Sequence, residues 1–273
     1  MFKYSDRLYE NNGIYFSEKR TEVSYPEEGN KDFFEIEENS FWFNHRNNCI
    51  LEVVKRNNEK QELFDVGGGN GFVSKKLQEN QIQVILVEPG LTGCINAQKR
   101  GISNIVCATL EDAQFYKNSI SSVGLFDVIE HVEDDVAFLK SIHETLKDDG
   151  LIYITVPAYK TLWSSDDVHA GHYRRYTLKE LEQKLNLAEF KIVESTYFFT
   201  ALPIPIFLFR TIPSWMGFNK KKKIIVNHEN DHKKKSGLIS SLLNIFWKKE
   251  VNKIRQQKTM SFGSSCLVVG KKI

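Results

Sequence analysis

The sequence predicts a doubly wound α/β fold with a mostly parallel sheet. From Glu62 onward, short apolar runs alternate with helical patterns, and the runs are apolar on both faces. Strands that helices cover on both sides have this pattern. A glycine-rich turn follows the first run in ELFDVGGGNGFVSKKL, which is typical of a strand, a tight turn and a helix start. With 273 residues, 41% of them hydrophobic, the chain can bury a large core.

Each apolar run predicts one strand. In chain order the runs are ELFDV, QVILVE, NIVCA, SVGLFDV, LIYITVP, FKIVESTYFF and GSSCLVVGKK. The stretch Glu133–Leu146 places its apolar side chains on one helical face, and Thr177 can cap a helix over LKELEQKL. FWFNHRNNCILEVVKR near the N-terminus is also predicted to be helical.

Two regions lie outside this alternation and divide the chain. Residues 1–56 are polar and aromatic and are interpreted as an N-terminal helical lid. Residues 201–258 separate the last two strands and are too long for an ordinary loop, which indicates a functional insertion. The α/β domain then comprises residues 57–200 and 259–273.

Charge is unevenly distributed along the chain. The net charge is +2, yet Arg210–Lys258 contains 13 Lys or Arg against 3 Asp or Glu. This segment suits anionic lipid, nucleic acid or acidic substrates, or is a solvated loop. Prolines interrupt ALPIPIFLFRTIPSWMGF, so a surface role fits better than a spanning helix, while Leu238, Leu242 and Phe246 share one amphipathic face. Membrane-surface contact, a folded lid or dimer surface, and a transmembrane helix remain alternatives.

The cysteines and the N-terminus favour a cytoplasmic protein. The four cysteines form no C-x-x-C pair, so neither a disulfide framework nor a zinc site is predicted. The start of the chain has no apolar segment behind a basic flank, so a secretory signal is not expected. Together with the basic insertion, this predicts a cytoplasmic location, with peripheral contact at the inner membrane surface as an option.

The glycine turn indicates an adenosine-bearing ligand. Gly67, Gly69 and Gly71 allow close backbone approach, but Phe72 stands where a dinucleotide fingerprint has its third glycine. Asp65 would repel a pyrophosphate and could accept hydrogen bonds from an ammonium group. Glu88, at the end of the next run, suits the two hydroxyls of a ribose.

Further polar residues follow the third and fourth strands. Glu111 and Asp112 could read an adenine edge, and Phe126, Asp127 and His131 lie at the mouth of the fourth strand. Ligands of open α/β sheets bind at these carboxyl ends. His131 is the nearest group that could act as a base; the alternative is that it only supports the loop.

The ordered set DVGGGNG, VEP, TLED, FDVIEH and TVP resembles the class I S-adenosylmethionine-dependent methyltransferases. The resemblance spans roughly Glu62–Phe199 and the final strand, and VPAYKTLWSSDDVHAGHYRRYTLKEL resembles a bacterial branch without an assigned substrate. It implies a seven-stranded Rossmann-like sheet and S-adenosyl-L-methionine as the cofactor. The cofactor contacts it implies are Asp65, Gly67, Gly69, Gly71, Glu88, Pro89, Leu110, Glu111, Asp112, Phe126 and Asp127.

A second polar cluster follows the fifth strand in SSDDVHAGHYRRYT. Its adjacent arginines suit a carboxylate or phosphate through forked hydrogen bonds, or else they pair with acidic neighbours. The spacing is not diagnostic of a metal site, and no metal is predicted. The predicted substrate-binding residues are Asp167, His169, His172, Arg174, Arg175 and Tyr176.

These observations predict methyl transfer to a small or lipid-linked acceptor. One alternative is an NAD-dependent oxidoreductase, which the missing third glycine and Asp65 disfavour. Another is a cofactor-binding or membrane-adaptor protein without catalysis. No nucleic-acid recognition module is found, so nucleic acid is not the expected partner.

Overall fold

The protein contains one nine-stranded sheet. A computed structural model describes residues 2–19, 21, 34–57, 61–217 and 238–273, with no side-chain description for 238–242. The strands are β1 Leu8–Asn11, β2 Ile14–Ser17, β3 Leu63–Val66, β4 Val84–Val87, β5 Ile105–Cys107, β6 Ile120–Phe126, β7 Leu146–Pro157, β8 Phe190–Phe198 and β9 Ser265–Lys272.

The order of the strands confirms a doubly wound, mostly parallel sheet. It is β1-β2-β5-β4-β3-β6-β7-β9-β8. The pairs β1/β2, β7/β9 and β8/β9 are antiparallel and the remaining pairs are parallel. All seven strands predicted from the apolar runs are present. The order reverses direction between β3 and β6, and open α/β sheets bind ligands at such a switch point.

The sheet has two strands more than the seven predicted, because a hairpin extends its edge. Strands β1 and β2 lie within the residues interpreted as a helical lid, and β2 pairs with β5. Their turn consists of Asn12 and Gly13, both with positive φ (52° and 79°). This is the geometry of a two-residue hairpin turn, for which Asn-Gly is the preferred pair.

Helices cover both faces of the sheet. They are α1 Phe41–Asn57, α2 Phe72–Gln78, α3 Leu91–Lys99, α4 Leu110–Ala113, α5 Asp135–Thr145, α6 Ser165–His169, α7 Leu178–Leu187, α8 (Pro203–Ile206, Phe207–Thr211 and Ile212–Trp215) and α9 Leu238–Arg255. The predicted helices α1, α2, α5 and α7 are confirmed, and Thr177 caps α7 in a reciprocal capping box with Glu180.

Alternation along the strands divides the core between two faces. Phe64 and Val66 of β3 pack in one buried cluster, whereas Leu63 packs in the cluster that also contains Val53 of α1 and Trp247 of α9. Since successive side chains of a strand point to opposite faces, Asp65 faces the same side as Leu63. Strand β3 therefore directs the Asp65 carboxylate toward the side covered by α1.

The described part of the insertion is mostly helical. Residues 203–215 form α8, which includes a π-helical turn at Phe207–Thr211, and α9 precedes the last strand. The lysine runs at 220–223 and 233–235 and the side chains of Leu238 and Leu242 lie outside the described residues. Among the helices described, none is both long and apolar enough to cross a membrane.

Candidate active site

A cavity of about 1000 Å³ opens at the carboxyl ends of β3 to β6. Its wall includes the glycine turn after β3, the residues that follow β4 and β5, and the loop after β6. This volume lies at the upper end of the range for ligand pockets, so a cofactor and a second small molecule can share it. The carboxyl-end position is the one predicted from the sequence.

Most predicted site residues line this cavity, but six do not. The lining members are Asp65, Gly67, Gly69, Glu88, Pro89, Leu110, Phe126, Asp127, His131, Asp167, His172 and Arg175. The residues away from the wall are Gly71, Glu111, Asp112, His169, Arg174 and Tyr176. Lining residues that the sequence did not single out as site residues include Glu37, Trp42, Phe43, Arg46, Glu130 and Arg210.

The turn after β3 depends on its glycines for two different reasons. Gly67 has φ +73°, and a Cβ there would come within 2.7 Å of the Val128 side chain. Gly71 also has φ +73°, but its missing Cβ makes room for Ala97 and Ile102. Gly67 therefore shapes the cavity wall, whereas Gly71 allows α2 to pack against α3.

Asp65 is a buried carboxylate at the base of the turn. It is 1% exposed and accepts a hydrogen bond from the Ser74 hydroxyl at 2.6 Å. Burial raises its pKa to about 6, although the Ser74 hydrogen bond and the Arg46 charge act in the opposite direction. Burial removes water from the Asp65 carboxylate, and a cationic ligand next to it would compensate for that loss.

Glu88 binds the glycine turn from the neighbouring strand. One carboxylate oxygen accepts the Gly69 N–H at 2.9 Å and the other accepts the Gly90 N–H at 2.8 Å. Glu88 also lines the cavity, so its carboxylate lies within reach of a ligand bound there. Glu88 thus fixes the turn and can still hold a ribose.

The segment after β5 differs from the prediction. Thr109 and Leu110 line the cavity, while Glu111 is exposed and Asp112 points elsewhere. The Asp112 carboxylate accepts the N–H and the hydroxyl of Thr21 at 2.7 and 2.9 Å. Asp112 therefore positions Thr21, which itself lines the cavity.

An ion pair links α1 to the loop after β6. The Arg46 guanidinium donates to Asp127 at 2.5 Å and lies over the Trp42 ring at 5.0 Å. Asp127 has φ +59°, an uncommon conformation for a residue with a side chain, and it also accepts the Thr155 hydroxyl at 3.2 Å. These contacts hold a strained residue at the mouth of β6.

The loop after β6 carries buried titratable groups. Glu130 is 1% exposed, and burial and the nearby Asp127 raise its pKa well above the usual range. Burial and the neighbouring His172 lower the pKa of His131 to about 4, and the two rings lie edge to face with centroids 4.7 Å apart. His131 is therefore neutral at pH 7, as a proton acceptor must be, but it is a weak base.

The arginines after β7 are already engaged by carboxylates. Arg175 donates two hydrogen bonds to Asp167, at 2.7 and 3.0 Å. Arg174 lies 2.8 Å from Asp135, whose carboxylate also accepts the Tyr176 hydroxyl. Both arginines thus pair with acidic neighbours, which was the alternative to substrate binding. Arg174 and Tyr176 support the loop from outside the cavity.

Carboxylates outnumber cations around the cavity. Among the described lining residues, Arg46, Arg175 and Arg210 are the basic ones. The acidic lining residues are Glu37, Asp65, Glu88, Asp127, Glu130, Asp166 and Asp167. Since clefts lined by one sign of charge concentrate ligands of the other, this cavity suits a cation.

Comparison with known families agrees with this site. Residues 45–195, more than half of the chain, match the family model described as a methyltransferase domain. The chain belongs to this methyltransferase family. The family match covers β3 to β7 and the first part of β8, and therefore the glycine turn, Glu88 and the loop after β6.

A curated relative of this methyltransferase is the biotin biosynthesis bifunctional protein BioHC of Cellvibrio japonicus (strain Ueda107). It is 23% identical over 158 residues, which cover 54% of this chain and 32% of that protein. The chain thus spans about a third of the length of the curated relative it matches.

Solved structures show the same fold at low identity. Phosphoethanolamine N-methyltransferase 2 of Haemonchus contortus, solved with S-adenosyl-L-methionine, has a TM-score of 0.57 and is 19% identical, covering 94% of this chain and 61% of that chain. Geranyl diphosphate C-methyltransferase of Streptomyces coelicolor A3(2) has a TM-score of 0.52 and is 12% identical, covering 82% and 78%. It was solved with Mg²⁺, geranyl diphosphate and S-adenosyl-L-homocysteine.

The chain carries a class I methyltransferase domain, for which S-adenosylmethionine is the cofactor. Neither the oxidoreductase nor the non-catalytic alternative is favoured by these matches. The acidic cavity fits the cofactor, because S-adenosylmethionine carries a sulfonium and an ammonium group. Which residue holds each part of the cofactor remains a prediction, with Asp65 assigned to the ammonium group and Glu88 to the ribose.

Proposed function

We propose that this methyltransferase acts on a small lipophilic or lipid-linked acceptor, and that it meets this acceptor at an anionic membrane surface. The observation that carries the proposal is the composition of α8. This helix combines an apolar face exposed to solvent with Arg210, which lines the cavity. An apolar acceptor could pass along α8 into the cavity.

The exposed side chains of α8 and the residue after it are unusually large and apolar. Phe209 is 77% exposed, Trp215 63% and Met216 64%, and Ile204 and Leu208 are exposed too. Monomeric soluble proteins rarely expose large contiguous apolar patches, which usually bind proteins or membranes. Arg210 lies 3.6 Å from Asp166, and both residues line the cavity.

Basic residues near this apolar surface favour an anionic partner. The segment Arg210–Lys258 has a net charge of +10 from its sequence. Within it, α9 exposes Lys248, Lys249 and Lys253 as well as Leu243 and Ile245. A lysine or arginine near an anionic bilayer contributes about 1 kcal/mol to binding. Such a mixture of apolar and basic side chains suits the interface of a membrane.

The residues around the cavity would then align the acceptor. S-adenosylmethionine supplies a methyl group on a sulfonium, and displacement requires the acceptor atom in line with that group while water is excluded. We propose that α1, from the segment 1–56, and α8, from the segment 201–258, close over the domain 57–200 with 259–273, because both helices contribute to the cavity wall. The acceptors named for the solved relatives, phosphoethanolamine and geranyl diphosphate, are small molecules. We place the enzyme in the cytoplasm, at the inner membrane surface.

Membrane contact predicts sedimentation with anionic vesicles at low salt. Phe209→Asp should weaken this binding about tenfold or more, because burying a phenylalanine side chain contributes about 1.5–3 kcal/mol. Leu187→Asp is the control, since Leu187 is 64% exposed at the end of α7, outside the insertion. If wild-type protein fails to bind at low salt, or if both variants lose binding equally, the membrane surface is the wrong partner.

The class of acceptor can be measured directly with a labelled methyl group. We expect label from S-adenosylmethionine to enter the organic phase when the enzyme acts on a membrane extract. Enzyme carrying Glu88→Ala is the matched control, because it should bind the cofactor poorly. Label that appears only in the aqueous phase would contradict a lipid-linked acceptor and leave methyl transfer itself intact.

A further inference from the structure

We infer that Glu130, His131 and His172 form a binding site for a divalent transition-metal ion in the wall of the cavity. Each offers one ligand atom, and these atoms lie within 4.8 Å of one another. All three residues line the cavity. The sequence did not reveal this group, because His172 comes from the loop after β7 and meets the other two only in the folded chain.

Glu130 carries the main argument for a cation. Its side chain is buried, and its Oε2 atom has no hydrogen-bond partner among the residues that the structure describes. Leaving a buried carboxyl oxygen without a partner is costly, and buried polar groups are normally hydrogen-bonded or bound to a metal. A cation bound between Glu130 and the two imidazoles would supply the missing partner.

His172 is oriented as a metal ligand. Its Nδ1 lies 2.9 Å from an oxygen of Asp167, which is also bound by the Arg175 guanidinium. A carboxylate that is paired with an arginine can only accept hydrogen bonds. The Nδ1 atom of His172 therefore donates to Asp167, and its Nε2 atom offers a lone pair to a metal ion. Histidines that bind metals usually have such a carboxylate on the second nitrogen, where it fixes the ring and the tautomer.

The ligand set indicates which ions fit. Two imidazoles and one carboxylate suit Zn²⁺, Co²⁺ or Fe²⁺ better than Mg²⁺ or Ca²⁺, which prefer oxygen ligands. Tetrahedral coordination at about 2.1 Å separates ligand atoms by roughly 3.4 Å, so these side chains would have to approach one another by at most about 1.4 Å. Three protein ligands leave a coordination position open to the cavity, as in catalytic sites.

A second group of potential ligands, His45, Cys49 and Glu250, lacks this need for a cation. The Glu250 carboxylate accepts the His45 ring N–H at 2.7 Å, the Phe199 N–H at 2.6 Å and the Thr200 hydroxyl at 2.6 Å. Its oxygens are satisfied by the protein, and the group ties α9 to α1. The two clusters therefore predict different behaviour when a metal is added.

A metal ion at Glu130 would also explain how an acceptor oxygen with a negative charge can bind in a cavity lined by carboxylates. This step rests on the proposed function. The wall has more carboxylates than arginines, so an anionic acceptor oxygen would be repelled. A bound divalent ion would attract that oxygen and lower the pKa of an acceptor hydroxyl. His131 would then act as a ligand and would not accept a proton.

The test uses full-length protein freed of metal with a chelator. Titration with Zn²⁺ or Co²⁺ alone should show one ion bound per chain by calorimetry. Glu130→Gln and His172→Gln should each lower the affinity at least tenfold, and Asp167→Asn about 10–100-fold because it removes the partner of the ligand. His169→Gln should change nothing, since the exposed His169 lies outside the cavity.

Two further measurements make the result decisive. The bound Co²⁺ should lack a sulfur charge-transfer band, and Cys49→Ser should bind it normally. The absence of uptake, or uptake lost only in Cys49→Ser, overturns the assignment. Affinity for S-adenosylhomocysteine should stay within about twofold in all variants, so that a folded, cofactor-binding enzyme is demonstrated independently of the metal.

Discussion

Replacing Glu88 with alanine is expected to weaken S-adenosylhomocysteine binding by about 100-fold or more. In the proposed complex each Glu88 oxygen accepts one ribose hydroxyl, and a hydrogen bond to a charged group contributes about 1.5–3 kcal/mol. Two such bonds exceed the roughly 2.7 kcal/mol that corresponds to 100-fold. The variant also releases the N–H groups of Gly69 and Gly90, so the turn loses its anchor.

Glu79→Ala is the matched control for this experiment. Glu79 is an exposed carboxylate at the end of α2, the helix that begins at the glycine turn. Calorimetry should give wild-type affinity for this variant and greatly reduced affinity for Glu88→Ala. Equal affinity in Glu88→Ala and the wild type would show that the ribose lies elsewhere and would remove the basis for the cofactor map.

Strands β3 to β9 were predictable because each contains a run rich in apolar residues. In β3 and β4 every residue is buried, and a run that is apolar on both faces has few alternatives to a covered parallel strand. The hairpin of β1 and β2 was missed although Asn12-Gly13 is a strong turn signal. Its strands LYEN and IYFS are short and partly polar, so they form no apolar run.

Only the site residues at the carboxyl ends of strands could be predicted from the sequence. Glu88 and Asp127 come directly after apolar runs and Asp65 is the third residue of β3, and the fold rule places all three at one edge of the sheet. Arg46 belongs to α1, and its pairing with Asp127 joins residues 81 positions apart. No periodicity indicates such a contact, and the positive φ of Asp127 has no sequence signal of its own.

Residue type alone misassigned several polar side chains. Arg174 and Tyr176 look available for a substrate in HYRRYT, yet both bind the Asp135 carboxylate of α5. Tyr176 is 1% exposed and belongs to the core. A sequence shows which groups can form hydrogen bonds, whereas the competition among partners is decided by the packing of distant elements.

The largest effect on cofactor binding is expected from Asp65→Asn. Removing one partner of a buried ion pair costs about 3–5 kcal/mol, which corresponds to a loss of affinity of 100-fold or more for S-adenosylhomocysteine. The cofactor-free variant should nevertheless be at least as stable as the wild type at pH 7.5. Ionised Asp65 is buried with its pKa at about 6, about two units above the usual value, so ionisation costs the wild type up to about 3 kcal/mol.

The ionisation of Asp65 also predicts how protein stability and cofactor binding change with pH. Between about pH 4 and pH 6 the folded protein holds a proton on Asp65 that the unfolded chain has lost, so stability falls as pH rises through this window. Cofactor binding runs in the opposite direction, because only ionised Asp65 attracts the ammonium group. The dissociation constant for S-adenosylhomocysteine should therefore rise about tenfold from pH 7 to pH 5 in the wild type. Calorimetry on Asp65→Asn should show a flat profile over this range; a parallel rise in the variant would assign the titration, and with it the ammonium contact, to another carboxylate.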